Sequence, residues 1–229
     1  MTSISIIIPA HNEENYIRQT LHSIKNQTYQ DYEVIVVSNG CTDKTEEIMQ
    51  KRVSDKIKHL SLPQPNVCRA RNYGASSANG EILLFLDADT LLAEDALQKI
   101  KQEFAEKYSV ATTRASSDED LLKYKLAMKF KNFYNSTRIY KGCSGTLVCR
   151  KDDFDEVYGY DPELIVREHR KLTLKLLKLG KYGCIDTTVV NSMRRFNQWG
   201  LMKTAGFWLK QFLKDNFKDL KNSDYEKIR

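Results

Sequence analysis

Two aspartates separated by one residue directly follow a run of five apolar residues. Asp87 and Asp89 come after the segment ILLFL at residues 82–86. A strand that is apolar at every position is buried on both faces, so carboxylates at its end are costly unless another charge compensates for them. Mg²⁺ or Mn²⁺ does so, because it accepts one or two carboxylates and completes its shell with phosphate and water. The pattern predicts a metal and diphosphate site; the alternative is a turn or N-cap before a helix predicted at residues 94–108.

The elements that must position these carboxylates alternate between strands and helices. Strands are predicted at residues 3–9, 32–38, 57–62 and 81–87, and amphipathic helices at 13–26, 43–53 and 67–78. This alternation indicates an α/β fold, with an open, mostly parallel, Rossmann-like sheet flanked by helices. Ligands of such sheets bind beyond the carboxyl ends of the strands. Residues 9–13, 38–41 and 87–89 are expected there.

The second half of the chain has a different order of elements. Helices are predicted at residues 118–138 and 167–179, and strands at 142–150 and 182–190. No repeat, low-complexity tract or Pro/Gly-rich linker separates the halves. The second half is therefore expected to complete the same domain.

Composition limits the classes of partner and compartment. The 36 basic and 30 acidic residues give a net charge of +6, which suits a phosphorylated substrate or an anionic membrane surface and does not require nucleic acid. Five cysteines without a CxxC pair indicate reduced thiols in a cytosolic protein. The chain begins without a basic signal region, and no apolar run approaches the roughly 20 residues of a bilayer span. A cytoplasmic location is expected.

Four segments together resemble a known family. They read SIIIPAHNEE at residues 5–14, EVIVVSNGCTD at 33–43, CRARNYG at 68–74 and GEILLFLDAD at 80–89. Their order and spacing are similar to those of family 2 glycosyltransferases. The resemblance implies a GT-A-type fold over residues 1–195, with a nucleotide-sugar-binding half at 1–110 and an acceptor half at 111–195. It also implies a nucleotide-sugar donor, Mn²⁺ or Mg²⁺, and transfer that inverts the anomeric centre.

The same resemblance implies the residues that bind the donor. They are Pro9, Ala10, His11, Glu13, Asn39, Arg71, Asp87 and Ala88. Pro9, His11 and Glu13 are expected around the base and ribose, Asn39 near the base, and Arg71 near the phosphate or base. His11 replaces the tyrosine common in the family, and Ser38 and Asn39 stand where two aspartates are frequent. UDP and GDP donors therefore both stay open.

The acceptor half contains the candidates for the general base. The family has a Glu-Asp pair at the start of a helix that ends in Leu-Gly, and its aspartate is taken as the base; here the pair reads Glu168-His169. The acceptor hydroxyl must lose a proton as it attacks, and a carboxylate or an imidazole can accept it. His169 is a candidate by position and Glu168 by chemical type. The alternatives are that Glu168 only complements a helix N-terminus and that His169 is merely exposed.

The C-terminal stretch, residues 196–229, is predicted to form an amphipathic helix and tail. Its apolar residues at helical spacing are Leu201, Ala205, Trp208, Leu209, Phe212, Leu213, Phe217 and Leu220, and they are accompanied by Lys203, Lys210, Lys214, Lys218 and Lys221. Such a helix suits an anionic leaflet, which would place the enzyme at the inner face of the membrane, near a lipid-linked acceptor. Packing on the core or in a dimer is equally open. The resemblance implies that Arg194 and Arg195, just before it, close over the diphosphate, as basic residues of this region do in related enzymes; solvated side chains are equally open.

Three classes of function fit these features to different degrees. The first is a glycosyltransferase that moves one sugar to an acceptor hydroxyl on a glycan or a lipid-linked molecule, since the transmembrane helices of polymerising synthases are missing from the sequence. The second is a nucleotide-sugar-binding or scaffold protein that has lost its base. A nucleotidyltransferase is disfavoured, because no Gly-rich triphosphate loop with Lys or Arg follows the first strand.

Overall fold

The computed structural model describes residues 2–104, 107–137, 142–143, 145–164, 166–200, 202–204, 206–207 and 210. In chain order the elements are β1 (Ile4–Ala10), α1 (Ile17–Lys25), β2 (Tyr32–Asn39), α2 (Thr45–Gln50), β3 (Ile57–Leu62), α3 (Val67–Ser76), β4 (Ile82–Leu86), β5 (Thr90–Leu92), α4 (Ala96–Phe104), β6 (Val110–Ser117), α5 (Leu122–Ser136), β7 (Thr146–Arg150), α6 (Lys151–Glu156), α7 (Glu168–Leu176), β8 (Tyr182–Asn191) and α8 (Arg194–Trp199). None of the described helices is long and apolar enough to cross a membrane.

The described strands form one eight-stranded sheet in the order β3-β2-β1-β4-β7-β6-β8-β5. The first four strands are parallel. β7 runs antiparallel to both of its neighbours, β4 and β6, β8 is parallel to β6, and β5 is antiparallel to β8. The predicted α/β architecture, with an open and mostly parallel sheet, is confirmed.

The sheet is covered by helices on both faces, as its apolar strands require. Alternate residues of β1 belong to different cores, because successive strand side chains point to opposite faces. Ile6 and Ile8 lie in the cluster that includes α1, α4 and α5. Ile7 lies in the cluster that includes α3, α6 and α7. α3 packs very close to the sheet, since a Cβ on Gly74 would stand 2.6 Å from Cγ2 of Ile7.

The sequence patterns missed β5, β6 and α6. β6 reads VATTRASS and lacks an apolar run, yet its threonines are fully buried against β7. Thr112 Oγ1 donates to the carbonyl of Thr146 at 2.9 Å, and the hydroxyls of Thr113 and Thr146 are 2.8 Å apart. These hydrogen bonds satisfy the hydroxyls, so a strand rich in β-branched polar residues fits inside the sheet.

Several element boundaries also differ from the predicted ones. α1 begins at Ile17 instead of residue 13, because residues 13–16 form a turn in which the amides of Tyr16 and Ile17 donate to the carbonyl of Glu13. β7 begins at Thr146, four residues later than predicted. α8 ends at Trp199, before a Gly200 with a φ of 77°. The apolar residues of the predicted C-terminal amphipathic helix all lie outside the described residues.

A buried carboxylate joins the amino ends of the central strands. Glu33, 5% exposed, accepts hydrogen bonds from the Ser5 hydroxyl at 2.7 Å and the Asn79 amide at 2.6 Å. It also pairs with Lys58 Nζ at 2.8 Å. Burial alone would raise the pKa of Glu33, but these hydrogen bonds and the charge of Lys58 outweigh it, so the pKa lies below its ordinary value of 4.5.

Glu33→Gln is expected to lower the free energy of unfolding at pH 7 by about 2 kcal/mol, because a buried charged acceptor with several donors is lost. A lowered folded pKa means that the stabilisation is present above the unfolded pKa and is lost as the pH falls through the folded value. Urea unfolding of both proteins from pH 7 to pH 3 should therefore show the difference shrink. Glu47→Gln, at an exposed helical pair with Lys51, is the control and should change little at any pH.

Candidate active site

The loops after β1 and β2 are joined by hydrogen bonds. Asn12 adopts a left-handed conformation, with a φ of 56°, which asparagine tolerates better than most residues. Its side-chain oxygen accepts from the Thr42 amide at 2.8 Å, and the Glu13 amide donates to Thr45 Oγ1 at 2.7 Å. The two loops therefore form one edge at the carboxyl ends of the parallel strands.

The residues predicted to surround the nucleoside lie at this edge. His11 Nδ1 is 2.6 Å from the carbonyl oxygen of Asn39, so the structure brings these two residues together. The side-chain oxygen of Asn39 already accepts from the Asn66 amide at 2.7 Å. Pro9 is partly exposed and Ala10 is buried. The His11 ring and backbone groups are thus the parts of this edge best placed to meet a base.

The two predicted metal ligands follow β4 in a tight turn. The Thr90 amide donates to the Asp87 carbonyl at 3.1 Å, and the carbonyl of the buried Ala88 accepts from Thr20 Oγ1 at 2.7 Å. The side chain of Asp87 is 40% exposed and that of Asp89 is 20% exposed. Each carboxylate pairs with a different arginine, one on each side of the turn.

Arg194, the first residue of α8, binds two carboxylates from the first half of the chain. Its guanidinium donates to both oxygens of Glu13 at 2.8 and 2.7 Å, and its Nη2 lies 2.9 Å from Asp89 Oδ2. The guanidinium also lies over the Tyr16 ring, 4.6 Å from its centroid. α8 is thereby attached to the loops that follow β1 and β4.

Arg71, on α3, connects the turn after β4 to the start of α7. It is 3% exposed. One terminal nitrogen donates to Asp87 at 2.9 Å, and the other donates to Glu168 at 2.8 Å. The resemblance placed Arg71 near the nucleotide; the structure places it between the end of β4 and the start of α7.

His169 is less accessible than an exposed surface imidazole. Its Nδ1 is 2.9 Å from the Tyr160 hydroxyl, and its Nε2 is out of contact with solvent and without a hydrogen-bond partner among the described residues. Burial first, and then the charge of Arg71, lower the pKa of His169 to about 3. The imidazole is therefore neutral at pH 7. Glu168 keeps 17% of its side chain exposed.

Among the described residues, the carboxylates of the site outnumber the arginines that pair with them directly. Glu13, Asp87, Asp89 and Glu168 share two arginines. The pKa of Asp89 is raised by burial, partly offset by Arg194, and raised further by the charge of Asp87. Burial also raises the pKa of Glu13. Such carboxylates favour an additional cation, since its charge would offset both burial and mutual repulsion.

Two participants were not predicted, and a third was predicted without its partner. Arg194 was expected to close over a diphosphate, but its partner Glu13 lies 181 residues away in the chain. Tyr160 lies under the Arg71 guanidinium, 5.3 Å from its carbon to the ring centroid. Lys131, on α5, interacts electrostatically with Asp87, and burial lowers its pKa. No sequence signal near Tyr160 or Lys131 indicates these contacts.

Solved structures similar to this chain share its fold. S. aureus TarS residues 1–349 in complex with UDP-GlcNAc matches with a TM-score of 0.67 and 21% identity, over 83% of this chain and 58% of TarS 1–349. The same fragment with UDP matches with a TM-score of 0.65 and 20% identity, over 98% of this chain and 67% of that one. The predicted GT-A-type fold is confirmed.

Sequence relatives carry glycosyltransferase names. An uncharacterized glycosyltransferase of Haemophilus influenzae is 40% identical over 103 residues, which cover 43% of this chain and 41% of that protein. The putative teichuronic acid biosynthesis glycosyltransferase TuaG of Bacillus subtilis is 25% identical over 221 residues, covering 89% of this chain and 86% of TuaG. The chain thus spans less than half of the Haemophilus relative and most of TuaG.

The matching family model identifies the family of this chain, because the match extends beyond the four segments at residues 5–89. It is described as glycosyl transferase family 2 and matches residues 5–197. That range runs from β1 into α8 and contains all four carboxylates of the site and the two arginines paired with them. The chain therefore belongs to glycosyltransferase family 2.

Proposed function

We propose that this protein transfers a single sugar from a nucleotide diphosphate donor to an acceptor hydroxyl, with inversion at the anomeric carbon. The observation that carries the proposal is the chain of ion pairs from Asp87 through Arg71 to Glu168, at 2.9 and 2.8 Å. It joins the carboxylates suited to a donor diphosphate to the first residue of the helix suited to the acceptor. A transfer reaction needs these two sides at a fixed separation.

Asp87 and Asp89 fit the protein's share of a Mg²⁺ or Mn²⁺ site. Both side chains are partly exposed at the same turn, and the pKa of Asp89 is raised by burial and by Asp87. Within the described residues, no group of three or more His, Cys, Asp and Glu could hold a metal. That suits an ion held by one or two carboxylates plus substrate phosphates. Bound there, it would neutralise charge on the departing diphosphate.

Arg194 and Lys131 add positive charge on either side of these aspartates. Arg194 lies between Glu13 and Asp89, within reach of a diphosphate that approaches Asp89. Lys131 interacts with Asp87 from α5. A diphosphate entering the site would replace the carboxylate contacts of Arg194 with phosphate contacts of the same charge-assisted type, and its charge would attract Lys131. These side chains would orient the donor and stabilise the leaving group.

A uridine diphosphate sugar is the donor we favour. TarS, of the same fold, was solved with UDP-GlcNAc and with UDP. The first two loops of this chain offer the His11 ring and backbone groups to a base, while the Asn39 oxygen is engaged by Asn66. GDP sugars are the alternative, because neither His11 nor Asn39 is the residue usual at its position in the family.

Glu168 is the general base we favour. Its carboxylate is partly exposed and is held by Arg71 at 2.8 Å. As the acceptor oxygen bonds to the anomeric carbon and the bond to the diphosphate breaks, the hydroxyl proton would pass to Glu168. His169 has a pKa of about 3 and has Nδ1 beside the Tyr160 hydroxyl. Its proposed part is to position Tyr160, which lies under Arg71.

The acceptor we propose is a glycan or a lipid-linked glycan, reached on the cytoplasmic side of the membrane. TuaG, which this chain matches over 89% of its length, is named for teichuronic acid biosynthesis, so a cell-envelope polymer is the class to test first. A catalytically impaired protein that binds nucleotide sugars is the second candidate. The weakly basic imidazole at position 169, whose Nε2 is out of contact with solvent, favours it.

Asp89→Ala should weaken Mn²⁺-dependent UDP binding at least tenfold and lower turnover at least about a hundredfold, because the diphosphate loses its link to the protein through the ion. Calorimetric titration with UDP and with GDP, in the presence and absence of Mn²⁺, measures binding. Release of the nucleotide from UDP-sugars and GDP-sugars measures turnover. Asp95→Ala is the control, since Asp95 is a half-exposed aspartate paired with Lys99. Nucleotide binding that changes neither with Mn²⁺ nor with the Asp89→Ala substitution would contradict the metal assignment.

Glu168→Gln should lower kcat by about 10²–10⁴-fold, the range usual for a lost general base. The KM for the donor should change little, because the amide oxygen still accepts a hydrogen bond from Arg71. His169→Asn should retain most of kcat. Steady-state kinetics of sugar transfer to one acceptor at fixed concentration gives the kcat and donor KM of both variants.

The reverse result, with His169→Asn inactive and Glu168→Gln active, would assign the base to the imidazole. Donor binding in the wild type without turnover on any envelope glycan would favour the binding protein over the transferase.

A further inference from the structure

The outer face of α5 carries a row of large apolar side chains in solvent. Leu122, Leu126, Phe130 and Phe133 are 72%, 58%, 68% and 65% exposed. Spacings of four, four and three residues place them on one face of the helix, and we call them the α5 stripe. Contiguous exposed apolar surface of this kind usually marks an interaction site.

The orientation of α5 is fixed by contacts on its other face. Tyr124 and Met128 are buried in the core. Asn132 exchanges two hydrogen bonds with the backbone of Ala115 on β6, each of 2.8 Å. Tyr124 donates to Asn197 on α8 at 2.6 Å. The α5 stripe therefore cannot turn inward without breaking these contacts.

The charged residues on α5 itself are all basic. Residues 121–137 contain four lysines and no acidic residue. Lys123, Lys125 and Lys129 are exposed. On a helical wheel Lys125 and Lys129 flank one side of the α5 stripe and Lys123 the other. Lys125 pairs with Asp120 in the loop before the helix, and both side chains remain mostly exposed.

A groove opens along the same flank, between α5 and β6. Its volume is 470 Å³, and its lining includes Arg114, Ser116, Ser117, Lys125, Lys129 and Phe133. Arg114 pairs with Asp186 at 3.1 Å, and both side chains are exposed. Cations and hydroxyls beside an aromatic ring suit a phosphate group that is attached to an apolar chain.

We propose that the α5 stripe and its lysines bind the surface of an anionic lipid bilayer. The apolar side chains would enter the boundary between headgroups and acyl chains, while the lysines reach outward to anionic headgroups. An interfacial helix needs this combination of an apolar face and basic flanks. The groove would accept a lipid phosphate at the side of the helix.

Charge argues against two other occupants of this face. A two-fold pairing of α5 with a second copy would bring lysine-flanked faces together, because the same patch meets itself. Residues 211–229 of this chain contain five basic and four acidic residues, so they would bring little net negative charge to the lysines beside the stripe. An anionic bilayer meets both the apolar and the basic requirement.

Bilayer binding would set the distance from the membrane to the site. Lys131 lies on the side of α5 opposite the stripe and interacts with Asp87. A helix with its side chains is about 10 Å across, so the site would lie about one helix diameter from the headgroups. That consequence rests on the proposed function, with a lipid-linked acceptor, whereas bilayer binding itself does not.

The test is flotation of the full chain with vesicles of three parts phosphatidylcholine to one part phosphatidylglycerol, and with phosphatidylcholine alone. The wild type should bind the anionic vesicles. Leu126→Ser with Phe130→Ser should weaken binding about tenfold or more. Lys125→Gln with Lys129→Gln should weaken binding to anionic vesicles only. Leu174→Ser with Leu179→Ser, at exposed leucines outside the stripe, should bind like the wild type.

Three results would overturn the proposal. One is unchanged binding in both α5 double variants, which would move any membrane contact elsewhere in the chain. Another is a dimeric mass of the wild type in solution together with a monomeric mass of the Leu126→Ser, Phe130→Ser variant. That result would make the stripe a dimer interface. The third is a lower Tm of the Leu126→Ser, Phe130→Ser variant without a change in its vesicle binding. That result would show that another part of the same chain covers the stripe. The Asp89→Ala variant should bind anionic vesicles like the wild type. Failure of the proposed transferase function and failure of the proposed bilayer binding can therefore be told apart.

Discussion

The burial of Arg71 between Asp87 and Glu168 is the constraint on which the site depends. A charge that is 3% exposed is tolerated only with partners, and each terminal nitrogen of Arg71 has one, at 2.8 and 2.9 Å. The end of β4 and the start of α7 are therefore held together through α3. The close approach of α3 to β1 at Gly74 brings Arg71 to that position, so packing on the sheet and geometry at the site are coupled.

Arg194 differs from Arg71 in how firmly it is held. It belongs to the six-residue α8, and its guanidinium binds Glu13 and Asp89 at the edge of the site. A cation bound at Asp89 would compete with this contact, and a diphosphate would supply a new partner of the same charge. We expect α8 to change partners during binding while the Arg71 bridge persists, because Arg71 is 3% exposed against 19% for Arg194, and a more deeply buried charge loses more when it loses a partner.

The sequence was most informative where apolar runs and turn motifs coincide. The ILLFL run places the central β4 and the Asp87-Ala88-Asp89 turn, and the alternation of elements predicts the parallel half of the sheet. β6 was missed because Thr112 and Thr113 are buried through hydrogen bonds to Thr146, a tertiary fact that no local pattern contains. The pairing of Arg194 with Glu13 was missed for the same reason, since the two residues are 181 positions apart.

The residues at positions 168 and 169 show why chemical type alone does not identify a base. An imidazole has an ordinary pKa of about 6.5, so by chemical type alone His169 would be the better proton acceptor. Burial beside Tyr160 and Arg71 lowers that pKa to about 3 and removes Nε2 from solvent. Glu168, a weaker base by type, stays partly exposed and in contact with Arg71. The packing of α7 thus weakens His169 as a proton acceptor and leaves the side chain of Glu168 partly exposed.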